Sequence, residues 1–207
     1  MNYPLLDYIA EVDTTEVPAD RISALTPLVE FIQSQVNQQK PVTLLFICTH
    51  NSRRSVLGQF WAQAMAHQRG LDIQTFSGGT EVTACNERTI AALIRAGVRV
   101  EGDMSQANPH YQAFYDLDCP PLILYSKLFD APELPQYDFV AVMTCASADE
   151  GCPFIPGALA RLPIRYEDPK VFDDTPREAD AYDECCAQIA AEMIGRVGVY
   201  LPQNLAG

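Results

Sequence analysis

Apolar residues recur along this chain in two rhythms, short unbroken runs and stripes at helical spacing, and from residue 42 onward the two alternate. Val42–Ile47 reads VTLLFI, short and β-branched enough to predict a parallel strand buried on both faces. After Ser55 the apolar positions Val56, Phe60, Ala64 and Met65 fall on one face of a helix that ends near Gly70. Leu71–Phe76 alternates as a second strand, and Ser77-Gly78-Gly79 supplies a turn. Asn86 caps a predicted helix over Glu87–Ala96, closed by Gly97. Asp138–Thr144 (DFVAVMT) is another buried strand and Ala160–Arg165 a shorter one. Arg177–Tyr200 is a helix with Tyr182, Ile189, Met193 and Val197 inward.

The flanks are less regular. Residues 1–18, with Pro4, Pro18 and scattered acids, read as an extended or weakly ordered lead. Over 19–39 a helical stripe of Ile22, Leu25, Leu28, Val29, Ile32 and Val36 appears, with Asp20 as its cap and Pro27 near its beginning. That helix packs on the core or binds a second chain. Residues 102–136 are rich in proline and aromatics, with Leu122–Ser126 as an extra strand. They read as an insertion, a lid or substrate wall near a site or simple surface elaboration. The expected division is a helical extension over 1–40 and a catalytic domain over 41–207.

Composition narrows the function. A net charge of −13 argues against nucleic acid, whose phosphates need cations to displace their counterions. No apolar stretch approaches the roughly 20 residues that span a bilayer. The acidic start MNYPLLDYIAEVDTTEV lacks a basic-then-apolar leader. Seven cysteines in such a chain predict free thiols in a reducing cytoplasm.

The chemistry concentrates where the first strand meets its helix. Cys48 ends the strand, Thr49-His50-Asn51-Ser52-Arg53 form a polar loop, and Arg54-Ser55 open the helix. A helix N-terminus offers free N–H groups to an oxyanion and, with nearby cations, favours a reactive thiolate. Arg54 can grip two oxygens of a tetrahedral anion. Ser55 can donate to the sulfur, and Asn51 tolerates the left-handed backbone that a tight loop needs. The Cys-x5-Arg spacing alone arises too easily by chance to mean much; its strand–loop–helix setting is the stronger signal.

A second cluster, Cys145-Ala-Ser-Ala-Asp-Glu-Gly-Cys152, begins where the 138–144 strand ends. Zinc explains it poorly, because no second pair at ligand spacing accompanies it. Either these are buried thiols, or they exchange with Cys48, since parallel strands end on the same side of a sheet. Further on, Asp168-Pro169 sets a carboxylate in a fixed turn. Cys185 and Cys186 lie inside the last helix and read as structural.

From Val42 to about Tyr200 the chain resembles the low-molecular-weight protein tyrosine phosphatase superfamily, whose nucleophile loop is Cys-x5-Arg-Ser. His50 stands where the family generally has glycine, and Arg53 where it often has a second cysteine. MTCASADEGCP resembles the segment that marks the thioredoxin-coupled arsenate reductase branch. The resemblance implies an α/β fold, a three-layer α/β/α sandwich with a mainly parallel four-stranded sheet (phosphotyrosine phosphatase I-like). It implies an oxyanion loop formed by Thr49, His50, Asn51, Ser52, Arg53, Arg54 and Ser55, and Asp168 as general acid. It further implies attack of Cys48 on arsenate, of Cys145 on the adduct and of Cys152 on the resulting disulfide, with thioredoxin as reductant. No cofactor or metal is expected. The alternatives are a phosphatase working through a cysteinyl-phosphate and a non-catalytic phosphate- or phosphopeptide-binding regulator. Lys170 and Val171 follow the Asp-Pro pair where phosphotyrosine-specific members carry tyrosines, which weakens phosphotyrosine as the substrate.

Overall fold

The computed structural model describes residues 3–197 other than Glu16, Met104 and Pro153. The chain opens with α1 (Tyr3–Glu11) and α2 (Ala19–Asn37), then alternates through β1 (Val42–Cys48), α3 (Arg54–Gln68), β2 (Ile73–Gly79) and α4 (Glu87–Arg95). Three short strands follow: β3 (Arg99–Glu101), β4 (Tyr111–Phe114) and β5 (Leu122–Leu124). Alternation resumes with β6 (Phe139–Met143), α5 (Ala146–Gly151), β7 (Ala158–Pro163), a 3₁₀ turn at Pro169–Phe172 and α6 (Glu178–Glu192). A π-helical turn over Met193–Val197 continues α6.

The main sheet has the order β2-β1-β6-β7 with every neighbouring pair parallel. Its central strands are buried on both faces, so their apolar runs divide residue by residue between two cores. Leu44, Phe46, Val140 and Val142 face the larger core, with Ile32, Phe60, Trp61, Tyr182 and Ile189. Leu45, Ile47, Ala141 and Met143 face the smaller one, with Leu134, Ala148 and Ile155. The predicted three layers are present and unequal: long helices cover one face, while the short α5 and the segment around Leu134 cover the other. No helix among the described residues is long and apolar enough to cross a membrane.

Helix α3 is buried around most of its circumference, because the sheet lies in front of it and α1 and α6 behind. Tyr8 of α1 stacks on Trp61 at 5.5 Å. On the sheet side, Gly58 lets α3 approach so closely that a Cβ there would lie 2.5 Å from Cδ1 of Phe46.

Several expectations need correction. Residues 3–11 are helical, and Leu5 and Ile9 are buried; Pro4 sits in the first turn, where a missing N–H costs nothing. Helix α2 begins after Pro18 with no side-chain cap, so Asp20 lies inside its first turn. Pro27 is in the helix interior, on the exposed face, where water can satisfy the carbonyl it leaves unpaired. Ser77-Gly78-Gly79 is the end of β2. Leu122–Leu124 belongs to an antiparallel β3-β4-β5 sheet. Residues 198–200 of the last predicted helix, and the Val197 side chain, lie outside the described structure.

Gly58→Ala sets two magnitudes against each other. Alanine gains about 1 kcal/mol of helix propensity, whereas overpacking a close contact costs about 1–3 kcal/mol. The clash is with a fully buried ring, so the variant is expected to be the less stable by about 1 kcal/mol. A urea titration measures this; a midpoint above that of the parent would mean that Phe46 moves aside freely.

Candidate functional site

β1 runs in register with β2 as far as Cys48 opposite Gly79. Beyond it the chain bends around Asn51, whose φ of 47° is left-handed and whose side chain is fully buried. Asn51 Nδ2 donates to Ser55 Oγ at 3.0 Å, and Ser55 Oγ lies 3.1 Å from Cys48 Sγ. With Asn51 occupying one lone pair of that hydroxyl, the Ser55 proton can point to the sulfur and serve a thiolate as donor. Among the described residues, nothing accepts from the backbone N–H groups of His50, Asn51, Ser52 or Arg53. Together with the open first turn of α3 they form an anion cradle beside the thiol.

The loop's side chains mostly leave the cradle. Thr49 Oγ1 turns to Cys145 Sγ at 3.5 Å. His50 Nε2 is 3.3 Å from Glu81 Oε2, so its bulk lies outside. Ser52 Oγ donates to Ala84 O at 2.7 Å. Arg53 Nε donates to Tyr182 Oη at 3.0 Å, and that hydroxyl donates to Asp173 at 2.8 Å.

Arg54 is arranged differently. Its two terminal nitrogens donate to Tyr166 O at 2.9 Å and to Asp168 Oδ2 at 2.6 Å, while its buried Nε finds no partner among the described residues. Asp168 also accepts from the Lys170 N–H at 3.1 Å and lies 3.8 Å from Arg53. The carboxylate is thus held over the loop between two guanidinium groups. Tyr166, two residues before it, is anchored from below: its hydroxyl donates to Glu192 at 2.8 Å, which Arg21 of α2 meets through two bonds of 2.7 and 2.9 Å. Burial first, and then Glu192, push the Tyr166 phenol well above its ordinary value, so it stays a neutral donor.

Cys145 is buried and caps α5, its sulfur accepting from the Ala148 N–H at 3.4 Å. Cys152 lies at the other end of that helix, half-buried, with its carbonyl bound by Arg161 Nε at 2.9 Å. All seven cysteines are free thiols. Among the described residues, no three His, Cys, Asp or Glu side chains form a metal-binding group.

The sequence reading missed what lies behind the cradle. Segment 127–129 pairs with the end of β2 through Gly79 N–H to Lys127 O at 2.8 Å and Phe129 N–H to Gly79 O at 2.9 Å. Ser126 Oγ donates to His50 O at 2.6 Å, and the Lys127 N–H to Asn51 Oδ1 at 3.2 Å. Gly78 and Gly79 leave room for this: a Cβ at Gly78 would lie 2.4 Å from Phe129 Cα, and one at Gly79 2.7 Å from Asn51 N. The Lys127 ammonium, 7% exposed, lies 3.1 Å from Tyr125 O and 3.4 Å from Asn51 Oδ1. Burial pushes it down to about 8, while burial pushes its neighbour Cys85 up to about 12 and keeps that thiol neutral. No local pattern flags a buried lysine. Beside the loop, a cavity of about 470 Å³ is lined by His50, Ser52, Arg53, Arg88, Tyr111 and Lys170 among others.

The site therefore combines a parallel α/β sheet, a cysteine at a strand end, a loop of N–H groups unpaired among the described residues and an arginine at the next helix start. Residues 43–119 match the family described as low molecular weight phosphotyrosine protein phosphatase. An arsenate reductase of Staphylococcus epidermidis is 28% identical over 127 residues, covering 61% of this chain and 78% of the relative. One from Bacillus licheniformis is 25% identical over 154 residues, covering 74% and 93%. The low-molecular-weight phosphotyrosine phosphatase of Vibrio cholerae superposes with a TM-score of 0.52 at 15% identity, over 79% of this chain and 99% of that one, a likeness of fold. The likeness to the phosphatase family thus covers residues 43–119, and the likeness to the arsenate reductases covers 127 to 154 residues.

Lys127 generates a pH prediction. Below about pH 8 its ammonium is charged and adds positive potential behind the loop; above that it is neutral. Inhibition by inorganic phosphate is expected to weaken several-fold between pH 7 and 9. Lys127→Met keeps the backbone contact to Asn51, so it should bind phosphate more weakly at pH 7 and lose that alkaline dependence. An unchanged profile in the variant would remove Lys127 from anion binding.

Proposed function

We propose that this enzyme reduces arsenate to arsenite through a relay of Cys48, Cys145 and Cys152. The observation that carries the reading is the placement of Cys145, its sulfur 3.5 Å from the hydroxyl of Thr49, the residue next to Cys48. The arsenate reductases among its relatives support it.

The cradle and Arg54 hold the anion, and the Cys48 thiolate attacks arsenic as one oxygen leaves as water. Once Arg54 turns from Asp168 to the anion, Asp168 takes up the proton released by the Cys48 thiol and passes it to the departing oxygen. Cys145 then attacks the Cys48 sulfur: a Cys48–Cys145 bond forms, the sulfur–arsenic bond breaks, and its electron pair stays on arsenic, which leaves as arsenite. Cys152 attacks Cys145 and frees Cys48, and a dithiol protein such as thioredoxin reduces the remaining disulfide. Seven free thiols suit a reducing cytoplasm. We take residues 102–136 as an insertion that braces the cradle through Ser126 and Lys127.

A second reading, phosphomonoester hydrolysis, is favoured by the polar cavity of about 470 Å³ beside the loop, which is far larger than a bare oxyanion requires. It needs only Cys48, the cradle, Arg54 and Asp168.

Cysteine variants separate the two readings. Cys48→Ser should abolish both activities. Cys145→Ser and Cys152→Ser should each stop arsenate turnover, assayed with a thioredoxin system, while sparing aryl-phosphate hydrolysis. Cys152→Ser should trap a Cys48–Cys145 disulfide, and the parent after one turnover without reductant should carry Cys145–Cys152, both read by peptide mass mapping. Free thiols at 145 and 152 after arsenate exposure would end the reductase reading.

Asp168→Asn tests the acid. Aryl-phosphate hydrolysis should fall by about 10²–10⁴, the usual size of a general-acid contribution, and least for good leaving groups. A uniform loss across leaving groups would make Asp168 a structural partner of Arg54 instead.

A further inference from the structure

A second group of chemically active side chains lies at the opposite end of α3. His67 stands in the last turn of that helix, about 20 Å along it from Arg54. Its Nε2 is 2.7 Å from Asp116 Oδ2, and its Nδ1 is 3.9 Å from Cys119 Sγ. The connection from β4 to β5 makes this arrangement. Asp116 Oδ1 accepts the Asp118 N–H at 2.9 Å, an Asx turn that brings Cys119 back toward the imidazole. The Tyr115 ring meets His67 edge-on at 5.4 Å.

The protonation pattern follows from the partners. Asp116 is held well below the usual carboxylate range, first by the Asp118 N–H and also by His67, so it is an anion at neutral pH. An imidazole that gives its Nε2 proton to that anion presents a lone pair at Nδ1, the nitrogen that faces the thiol. Burial, and then Cys119 beside it, push the Tyr115 phenol up, leaving a neutral donor next to the same sulfur. The carboxyl end of α3, where peptide dipoles point their negative ends, stabilises an imidazolium formed there. Nucleophile, base and orienting carboxylate thus stand in the order by which proteins activate a thiol. Cys119 is half-buried, whereas Cys85, Cys185 and Cys186 are buried.

The geometry points to Cys119 as a second reactive thiol, a site of exchange with small-molecule disulfides in which His67 is the general base and Asp116 orients it. The Cys119 proton passes to His67 Nδ1 as the sulfur attacks one sulfur of the disulfide. A mixed disulfide forms, the original sulfur–sulfur bond breaks, and the departing thiolate takes the proton back from the imidazolium. Cys119 is thereby oxidised and the departing half reduced, and excess thiol reverses the step. The site lies outside the Cys48–Cys145–Cys152 set and does not depend on which reaction that set performs.

The test uses the full chain carrying Cys48→Ser, Cys145→Ser and Cys152→Ser, in which Cys119 is the one thiol not buried. Treated under native conditions with 5,5′-dithiobis(2-nitrobenzoic acid), it should release one equivalent of thionitrobenzoate in a fast phase that peptide mapping assigns to Cys119. Adding His67→Gln should slow that phase by about 10²-fold, the low end of general-base effects, with the circular dichroism unchanged. In case the triple variant fails to fold, the wild-type chain is incubated with oxidised glutathione and the mixed disulfide at Cys119 is compared with that in His67→Gln alone. No fast equivalent, or equal rates with and without His67, overturns the inference.

Discussion

Asn51 is the residue on which the site's geometry hangs. Its left-handed backbone turns the chain from β1 into α3 without spending a glycine there. Its buried amide then meets two neighbours at once, donating to Ser55 and accepting from the Lys127 N–H. Ser55 passes that constraint to the sulfur of Cys48, and Lys127 passes it to the edge of β2. An asparagine at φ > 0 is tolerable mainly because short polar side chains find local partners; here those partners are the nucleophile's donor and the wall behind the cradle. Removing the amide leaves buried polar groups unmatched on both sides, a cost of about 1–3 kcal/mol each.

The other half of the site is held from outside residues 43–119, the span that matches the phosphatase family. Arg54 reaches Tyr166 and Asp168, but Tyr166 is fixed through Glu192, and Glu192 through Arg21 in α2. Glu192 is almost fully buried, and a buried carboxylate is tolerable only when it is paired and hydrogen-bonded; Arg21, Tyr166 and Gln188 all donate to it. The two N-terminal helices are therefore more than a cover for α3. Helix α2 completes the polar cluster that positions the Asp168 turn, and the apolar faces of both helices share one core with the sheet.

What could be read from the sequence follows how local each cause is. The run VTLLFI and the stripe after it report their own structure, so β1, α3 and the thiol between them were legible. Asn86 and Gly97 bracket α4 because caps are local chemistry. Helix α1 was hidden by Pro4, although Leu5, Tyr8, Ile9 and Val12 carry a helical spacing. Strands of three or four residues such as β3 and β4 are too short to show a period. Ser77-Gly78-Gly79 looks like a turn because its residues are small, yet the smallness answers to Phe129 and Asn51, which only the tertiary fold brings there. His50 stands where the resemblance would put glycine, and pairing with Glu81 turns its side chain away from the loop. Lys127 has no signature at all, since burial of a lysine is decided by what folds over it.

Helix α5 places a mechanical demand on the proposed relay. Cys145 and Cys152 bracket a helix of six residues, which sets their Cα atoms about 10 Å apart, whereas a disulfide needs roughly 4.4–6.8 Å. The helix must therefore unwind before they can bond. A helix this short has little intrinsic stability, and its cap is the Cys145 sulfur itself. Bonding that sulfur to Cys48 takes the cap away, and losing a cap costs a helix about 0.5–2 kcal/mol. The first oxidation thus loosens the segment that the second must bend. Arg165 grips Asp149 at 2.6 Å, and Arg161 holds both Asp149 and the Cys152 carbonyl, so the unwinding starts at the Cys145 end while the Cys152 end stays tethered to the sheet edge. On this account the order of the relay is built into the helix: Cys152 gains access to Cys145 only after Cys145 has left its cap.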